Sequence, residues 1–355
     1  MKFLTYGARF RIGLTVIAMA AALVSGCFGG KGTPSMTQIN PAATHPLDGK
    51  VWDVRNRRFI APDEFLGKLA AVDFVLLGEV HDNPEHHARQ AAVLSSLVQA
   101  GRRPALVMEQ FDRENQPAID AALVAGAHAD GVARAGRLDR KGWQWEGYEP
   151  LVRIAVSEKL PIVAANLSRR AARDVATRGF ESMDMSPALL ALPDVWTTAR
   201  EDVLVATIVE GHCGQLRAQD AGPMTRAQRA RDAVMADSLL RYPANGAVLI
   251  AGTGHVRRDV AVPLYLRARA PGASVSSVAL TEVQAGADDV AGYETTTAVG
   301  IADPAFDYVW FTIPAKRDDP CAGFTLPATT SGTGGAAATG APPSSGPERP
   351  ATKSQ

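Results

Sequence analysis

Five short, nearly unbroken apolar runs, separated by helix-patterned segments, limit the folds open to this chain. They are Val72–Leu77, Pro104–Met108, Pro161–Ala165, Ala247–Ala251 and Val275–Leu280. A strand that is apolar at nearly every position buries both faces, and parallel neighbours need crossover connections long enough to hold a helix. The pattern predicts an α/β fold: a mostly parallel sheet with flanking helices. A later run, Tyr308–Ile313, is expected to add an edge strand. From about 183 to 242 the pattern is helical throughout, broken at Pro187, Pro193 and Pro223, and predicts a smaller helical subdomain inserted beside the sheet. No repeat of fixed period occurs, which argues against a solenoid.

Four of the runs end in residues capable of chemistry. The first runs into Gly78-Glu79-Val80-His81, followed by Asp82-Asn83-Pro84. Asn83 suits an N-cap and Pro84 a first helical position, so a helix is predicted from Pro84 to about Ala100. His87 shares a helical stripe with Ala91, Leu94 and Val98, which turns it toward the sheet, while His86 lies on the neighbouring stripe with Gln90 and Val93. The second run ends Met108-Glu109-Gln110-Phe111, and the third ends Asn166-Leu167-Ser168-Arg169-Arg170. The fourth ends Gly252-Thr253-Gly254-His255, with Arg257 and Arg258 beyond it.

In an open parallel sheet the carboxyl ends share one edge, and ligands bind in the crevice outside it. Singly, each glutamate reads as a cap or ion-pair partner, each histidine as a hydrogen-bonded structural residue, and Arg257-Arg258 as a solvated face. Together, the repeated Gly-x-x-His and the two glutamates specify a site. A zincin His-Glu-x-x-His, a phosphate-binding P-loop and a Gly-x-Ser-x-Gly nucleophile elbow are all missing from the sequence.

The charges balance, with 37 Lys plus Arg against 37 Asp plus Glu, so the basic footprint of a general nucleic-acid binder is absent. The first residues point to the cell envelope. Lys2, Arg9 and Arg11 precede an apolar stretch, Ile12–Val24, shorter than the roughly 20 residues of a membrane span. Leu23-Val24-Ser25-Gly26-Cys27 resembles a bacterial lipobox. Residues 1–26 are therefore expected to be a lipoprotein signal peptide, with Cys27 as the lipidated, palmitate-bearing residue of a tethered protein. Residues 27–45 are Gly, Pro, Ser and Thr rich and read as a flexible tether. The folded domain is expected over 46–325, and the low-complexity tail 326–355 is expected to be disordered. Of the remaining cysteines, Cys213 and Cys321 either pair or leave Cys213 as a buried free thiol. With no Cys-x-x-Cys-His, covalent c-type haem attachment has no support.

The stretches LLGEVHDNPEHHARQ, VMEQFDRENQPAI, WQWEGYEPL, PIVAANLSRRAARDVATRG, RDAVMADSLL and LIAGTGHVRRDVAVPLYL resemble the ChaN-like haem-binding lipoproteins. These belong to the haem-binding uptake and Tiki superfamily, with erythromycin esterases as more distant relatives. The likeness spans about residues 46–282. It implies an outer-membrane lipoprotein of haem and iron acquisition, binding b-type haem non-covalently, dimerising around it and partnered by an outer-membrane haem receptor. It implies a tyrosine ligand to iron, for which Tyr148 within Trp143–Pro150 is the first candidate and Tyr265 and Tyr242 the fallbacks, assisted by histidines among His81, His87 and His255. Arg169, Arg257 and Arg258 are the candidate partners of the haem propionates. His212 beside Cys213 reads as a structural histidine. The resemblance favours a binding protein over an enzyme. The alternative it carries is a hydrolase of the Tiki or esterase type, with Glu79, His81, Glu109 and His255 as catalytic groups and Glu79 and Glu109 holding a divalent metal or acting as base.

Overall fold

Alternating side-chain direction along central strands buried over most of their length organises the molecule. The computed structural model describes residues 45–293 and 301–325. The expected signal peptide, Cys27, nearly all of the tether and the low-complexity tail lie outside the described residues. A hairpin of two three-residue strands comes first, β1 (Val51–Asp53) and β2 (Arg58–Ile60), then helix α1 (Pro62–Ala70), β3 (Phe74–Glu79) and α2 (Pro84–Gln99). Next come β4 (Ala105–Asp112), α3 (Gln116–Val124), α4 (Ala129–Ala135), α5 (Trp145–Ser157), β5 (Ile162–Asn166) and α6 (Arg169–Arg178). The span read as a helical insertion holds α7 (Pro187–Ala191), α8 (Thr198–Gly211) and α9 (Gly222–Leu240), followed by β6 (Ala247–Gly252). Helix α10 (Val262–Arg269), β7 (Val275–Glu282) and β8 (Tyr308–Thr312) complete the order.

The eight strands form one sheet in the order β2-β1-β8-β7-β3-β6-β4-β5. All pairs from β8 to β5 are parallel, and only the hairpin joins antiparallel. Val75, Leu77, Leu106, Met108, Val248 and Ile250 face a layer that includes α1, α2 and α5. Phe74, Leu76, Val107 and Leu249 face the opposite layer of α6, α9 and α10. Each such side chain contributes about 1.5–3 kcal/mol when fully withdrawn from water, so the sheet cannot slip by one residue without exchanging its two cores.

One feature differs from expectation. The Tyr308–Ile313 run is not an edge strand: β8 lies between β7 and β1, and all five of its residues are buried. The edge falls to β1 and β2, whose three-residue length carries no readable alternation. Within the helical span, α9 packs on the sheet itself, where Ala230, Ala233, Met235, Ala236 and Leu239 join the core over β4, β5 and β6. Alanine-rich packing lets it lie close, and its many charged residues hid that face. Cys213 and Cys321 are joined in a disulfide, with their Cα atoms 5.5 Å apart. Among the described residues no helix is long and apolar enough to cross a membrane.

Candidate functional site

Strand parity divides the polar strand ends between the two faces of the sheet. On β3 the alternation that sends Val75 and Leu77 toward α2 and α5 also sends Glu79 there. On β4 Val107 faces α9, so Glu109 enters that layer and Gln110 returns to the first. Strand β6 lies between β3 and β4 and ends at the same edge.

On the α2–α5 side the Glu79 carboxylate is wholly buried. Its Oε1 accepts hydrogen bonds from His81 Nδ1 at 2.9 Å, from Gln110 Nε2 at 3.2 Å and from the Tyr148 hydroxyl. Its Oε2 has no hydrogen bond and faces His87 Nε2 at 3.6 Å. The His87 ring lies 4.2 Å from that of Tyr148, and neither of its nitrogens is hydrogen bonded. Gly147 makes that packing possible, since a Cβ there would lie 2.1 Å from His87 Nδ1. Burial depresses the basicity of His87 despite the nearby Glu79. Burial also drives the Tyr148 phenol well above its ordinary pKa, and the charge of Glu79 adds to the effect.

On the α9 side Glu109 Oε2 accepts the Gly252 N–H at 2.8 Å, while Oε1 lies 3.3 Å from His255 Nε2. His255 Nδ1 lies 2.6 Å from Asp232 Oδ1 on α9. Burial alone would discharge this imidazole, but the carboxylates of Glu109 and Asp232 outweigh it and push His255 up to about 10. Asp232 is pushed up to about 6 by burial, against the pull of His255. Glu109 is held well below the carboxylate range, because His255 overcomes the cost of its burial.

The two Gly-x-x-His segments interlock at this edge. A Cβ on Gly78 would lie 2.4 Å from Val256 Cγ2, so the turn after β6 closes over β3 only at a glycine. A Cβ on Gly252 would lie 2.9 Å from His81 Nε2, so the His81 ring lies over β6 for the same reason. His81 is the open member of the cluster, with its side chain 38% exposed and its ring edge-on to Trp143 at 4.9 Å. Burial works against its charge, yet the hydrogen bond to Glu79 and the charge of Glu109 hold it above the ordinary value.

His81, His87, Glu79, Glu109, His255 and Tyr148 are thus brought together, while the other candidates are not. Arg257 is paired with Asp259 at 2.7 Å and Arg258 with Asp307 at 2.7 Å. Arg169 is exposed as the first residue of α6. His86 is a neutral structural residue: burial pushes it down to about 3, Nδ1 accepts from Val80 N, and Nε2 meets Thr312 Oγ1 at 2.8 Å. Tyr265 is buried with its hydroxyl on Leu190 O, Tyr242 packs at the margin of the α9 core, and His212 Nδ1 meets Ile208 O. Asp232 and Gln110 were missed. Asp232 falls on the buried stripe of Met235, Ala236 and Leu239, where an acid is out of place, and that was its one signal in the sequence.

The donor set discriminates between ligands. Metal-bound histidines commonly give their second ring nitrogen to a carboxylate. His81 does so through Nδ1, and among the described residues its Nε2 has no hydrogen bond. Tyr148 has the opposite character, with no exposed surface and its hydroxyl committed to Glu79. The cluster therefore offers an imidazole nitrogen beside the Trp143 ring, and the Tyr148 hydroxyl is taken up by Glu79. Among the described residues no group of three or more His, Cys, Asp or Glu is arranged to hold a bare metal ion.

Residues 65–266 match the model of a family described as haem-binding uptake, Tiki superfamily, ChaN. Among solved structures, one of cofacial haem binding to ChaN of Campylobacter jejuni is 21% identical with a TM-score of 0.57, covering 73% of this chain and 95% of that one. An erythromycin esterase mutant in its open conformation is 16% identical, with a TM-score of 0.37 and coverage of 73% and 80%. The MARTX toxin effector domain RRSP from Vibrio vulnificus is 14% identical, with a TM-score of 0.37 and coverage of 62% and 36%. The last two likenesses are too slight to carry an argument, and the first speaks for the fold. No curated protein matches.

Proposed function

The chain belongs to the haem-binding uptake family of the Tiki superfamily that includes ChaN, and from that premise we propose that it binds haem at the carboxyl edge of its sheet in the service of haem and iron acquisition. The observation that carries the reading is His81, whose Nδ1 is tied to a buried carboxylate while Nε2 stays free beside an aromatic wall. Bound there, haem would supply an iron centre, and His81 would help to hold it through its free imidazole nitrogen. Glu79 orients that ring, and Gln110 and Tyr148 in turn orient Glu79. In the same reading Cys27 is lipidated and tethers the domain to the outer membrane, residues 1–26 are removed, and the haem is b-type and held without covalent bonds. A haem-linked homodimer and an outer-membrane haem receptor complete the proposed setting.

Titration of the purified protein with hemin tests the reading. The wild type should develop a bound Soret band, His81→Ala should lose it or shift it, and Tyr148→Phe should leave it in place. No spectral change in the wild type would sink the haem reading. Loss in Tyr148→Phe with retention in His81→Ala would move the ligand to the tyrosine.

One observation supports a second reading, general acid–base hydrolysis at the same edge. His81 is part-exposed, carboxylate-supported and held above its ordinary pKa, as a proton donor would be. Hydrolysis of an ester, amide or peptide panel that disappears in the His81→Ala, His255→Ala double variant would establish it. No turnover in the wild type would dismiss it.

A further inference from the structure

The two halves of the site lie on opposite layers, and one short segment joins the elements that carry them. Past Thr312, the last residue of β8, the chain runs along the strand ends. Asn83 Nδ2 donates to Ile313 O at 3.0 Å, and Ala315 N donates to Glu282 Oε1 at 2.9 Å. Arg317 then forks between the ends of β3 and β7, with Nε 2.8 Å from Asp82 Oδ2 and Nη1 2.7 Å from Glu282 Oε2. Asp82 directly follows His81, the open histidine of the cluster.

Four residues after Arg317, Cys321 is bonded to Cys213 in the connection between α8 and α9. That connection leads into α9, whose Asp232 and Gln228 lie 2.6 and 3.2 Å from His255. A stretch of four residues reaches at most about 14 Å, and the two cysteine Cα atoms are 5.5 Å apart. The turn after His81 and the connection before α9 can therefore separate by no more than this length while the disulfide stands. The far end is seated too: Phe324 O accepts from Gln215 Nε2, and the Phe324 ring lies 6.4 Å from that of His212. Between the fastenings Lys316, Asp318, Asp319 and Pro320 are exposed, and so is Cys321, while Cys213 is half-buried. Exposed disulfides are the ones open to thiolate attack.

We propose that the Cys213–Cys321 disulfide is a redox clasp that, when closed, holds the α8–α9 connection against the turn after His81 and slows ligand exchange at the strand ends. A dithiol opens it. One thiolate of the dithiol attacks Sγ of Cys321, the sulfur–sulfur bond breaks, and Cys213 leaves as a thiolate. The second thiol of the reductant then displaces Cys321 from the mixed disulfide. Two electrons pass to the cysteine pair, the dithiol ends as a disulfide, and its two protons end on Cys213 and Cys321. After opening, only Arg317 holds the segment to the strand ends. That the exchanging ligand is haem rests on the reading above, whereas the clasp rests on the segment alone.

Stopped-flow binding of hemin to the full chain tests the clasp, with every sample alkylated by iodoacetamide so that no free thiol meets the porphyrin. The closed form is wild type alkylated while oxidised. The opened forms are wild type alkylated after reduction by dithiothreitol, and Cys213→Ser with Cys321→Ser. Both opened forms should take up and lose hemin several-fold faster than the closed one, with little change in affinity. Adding Arg317→Gln to the double serine variant should speed exchange by roughly another tenfold, the order of one charge-assisted contact. Equal rates in closed and opened chains overturn the clasp. A change of affinity carried by dissociation alone also overturns it, because the bond would then shape the site rather than gate it. If one opened form loses its native circular dichroism, the other decides; if both do, the bond is a structural staple and the clasp falls. If no form binds hemin, the haem reading falls, and hydrogen exchange of residues 80–84 and 212–222 judges the clasp by itself. Faster exchange there in the opened chain upholds it, and unchanged exchange overturns it.

Discussion

At the scale of the residue, His255 couples the site to stability. Its imidazolium is clamped between Asp232 at 2.6 Å and Glu109 at 3.3 Å, joining α9 to the strand ends. The folded pKa is raised from 6.5 to about 10. A proton held more tightly in the folded state stabilises it fully below the unfolded value, and that contribution is lost as pH rises through the folded one. Stability should therefore decline from about pH 7 toward pH 10, by more than the shared titration of lysines and tyrosines explains. Urea unfolding at several pH values, compared with His255→Gln, checks this: the variant should be weaker at pH 7 and show a shallower decline. Equal slopes would show that the histidine carries no excess charge in the fold. Glu79, His81, Glu109 and His255 could be read from the chain because each falls at or just after the end of an apolar run, and a parallel sheet gathers those ends at one edge. Asp232 could not, because the register of a long helix against a sheet is decided by packing rather than by local pattern. Tyr148 was legible as a member of the site, but the depth at which its hydroxyl is sealed belongs to tertiary structure alone.

At the scale of the element, α2 shows how one cap can serve both a helix and the edge of the sheet. Asn83 Oδ1 accepts the N–H groups of Glu85 at 2.9 Å and His86 at 3.3 Å, satisfying donors that the first turn leaves open. Its Nδ2 donates to Glu282 Oε1 at the end of β7 and to Ile313 O just after β8, at 2.6 and 3.0 Å. Losing the cap costs about 1 kcal/mol, and losing the two part-buried hydrogen bonds to Glu282 and Ile313 adds about as much again. Asn83→Ala should then lower Tm by about 4–8 °C for a domain of this size. Asn83→Asp should keep the cap but place a second carboxylate against Glu282, and so recover less than the cap alone is worth. Calorimetry of the two variants decides, and an unchanged Tm in Asn83→Ala would mean the helix start is fixed elsewhere. This cap and the helix after it were readable from Asn83-Pro84 and the stripe of His87, Ala91 and Leu94, because capping is local chemistry. The five central strands were readable for the opposite reason, since burial on both faces leaves a run no polar residue could interrupt cheaply. Strand β8 looked like an edge only because β1 and β2, which cover it, are too short to announce themselves.

At the scale of the whole molecule, the segment after β8 crosses the edge on which the site lies. Ala315 N donates to Glu282 at 2.9 Å, and Arg317 reaches Asp82 at 2.8 Å and Glu282 at 2.7 Å. Further on, Cys321 is bonded to Cys213 just beyond α8, and Phe324 O accepts from Gln215. Most of residues 313–325 are otherwise exposed, so the segment is held by two fastenings, an ion-pair knot beside His81 and a disulfide. The disulfide closes a loop of 108 residues, worth about 4–5 kcal/mol where the unfolded chain is the main thing constrained. The segment buries little, and freeing it from a folded domain costs far less than that, so reduction acts on two levels. Locally, Cys321→Ser or a dithiol reductant should speed tryptic cleavage after Lys316 and Arg317 several-fold while the remaining domain stays resistant. Globally, Tm should fall by about 10–18 °C, because the reduced unfolded chain regains the entropy of the open loop. Limited proteolysis and calorimetry with and without reductant separate the two. Faster cleavage with an unchanged Tm would make the bond a local fastening beside the site, and no change in either would show that the ion pairs of Arg317 hold the segment unaided.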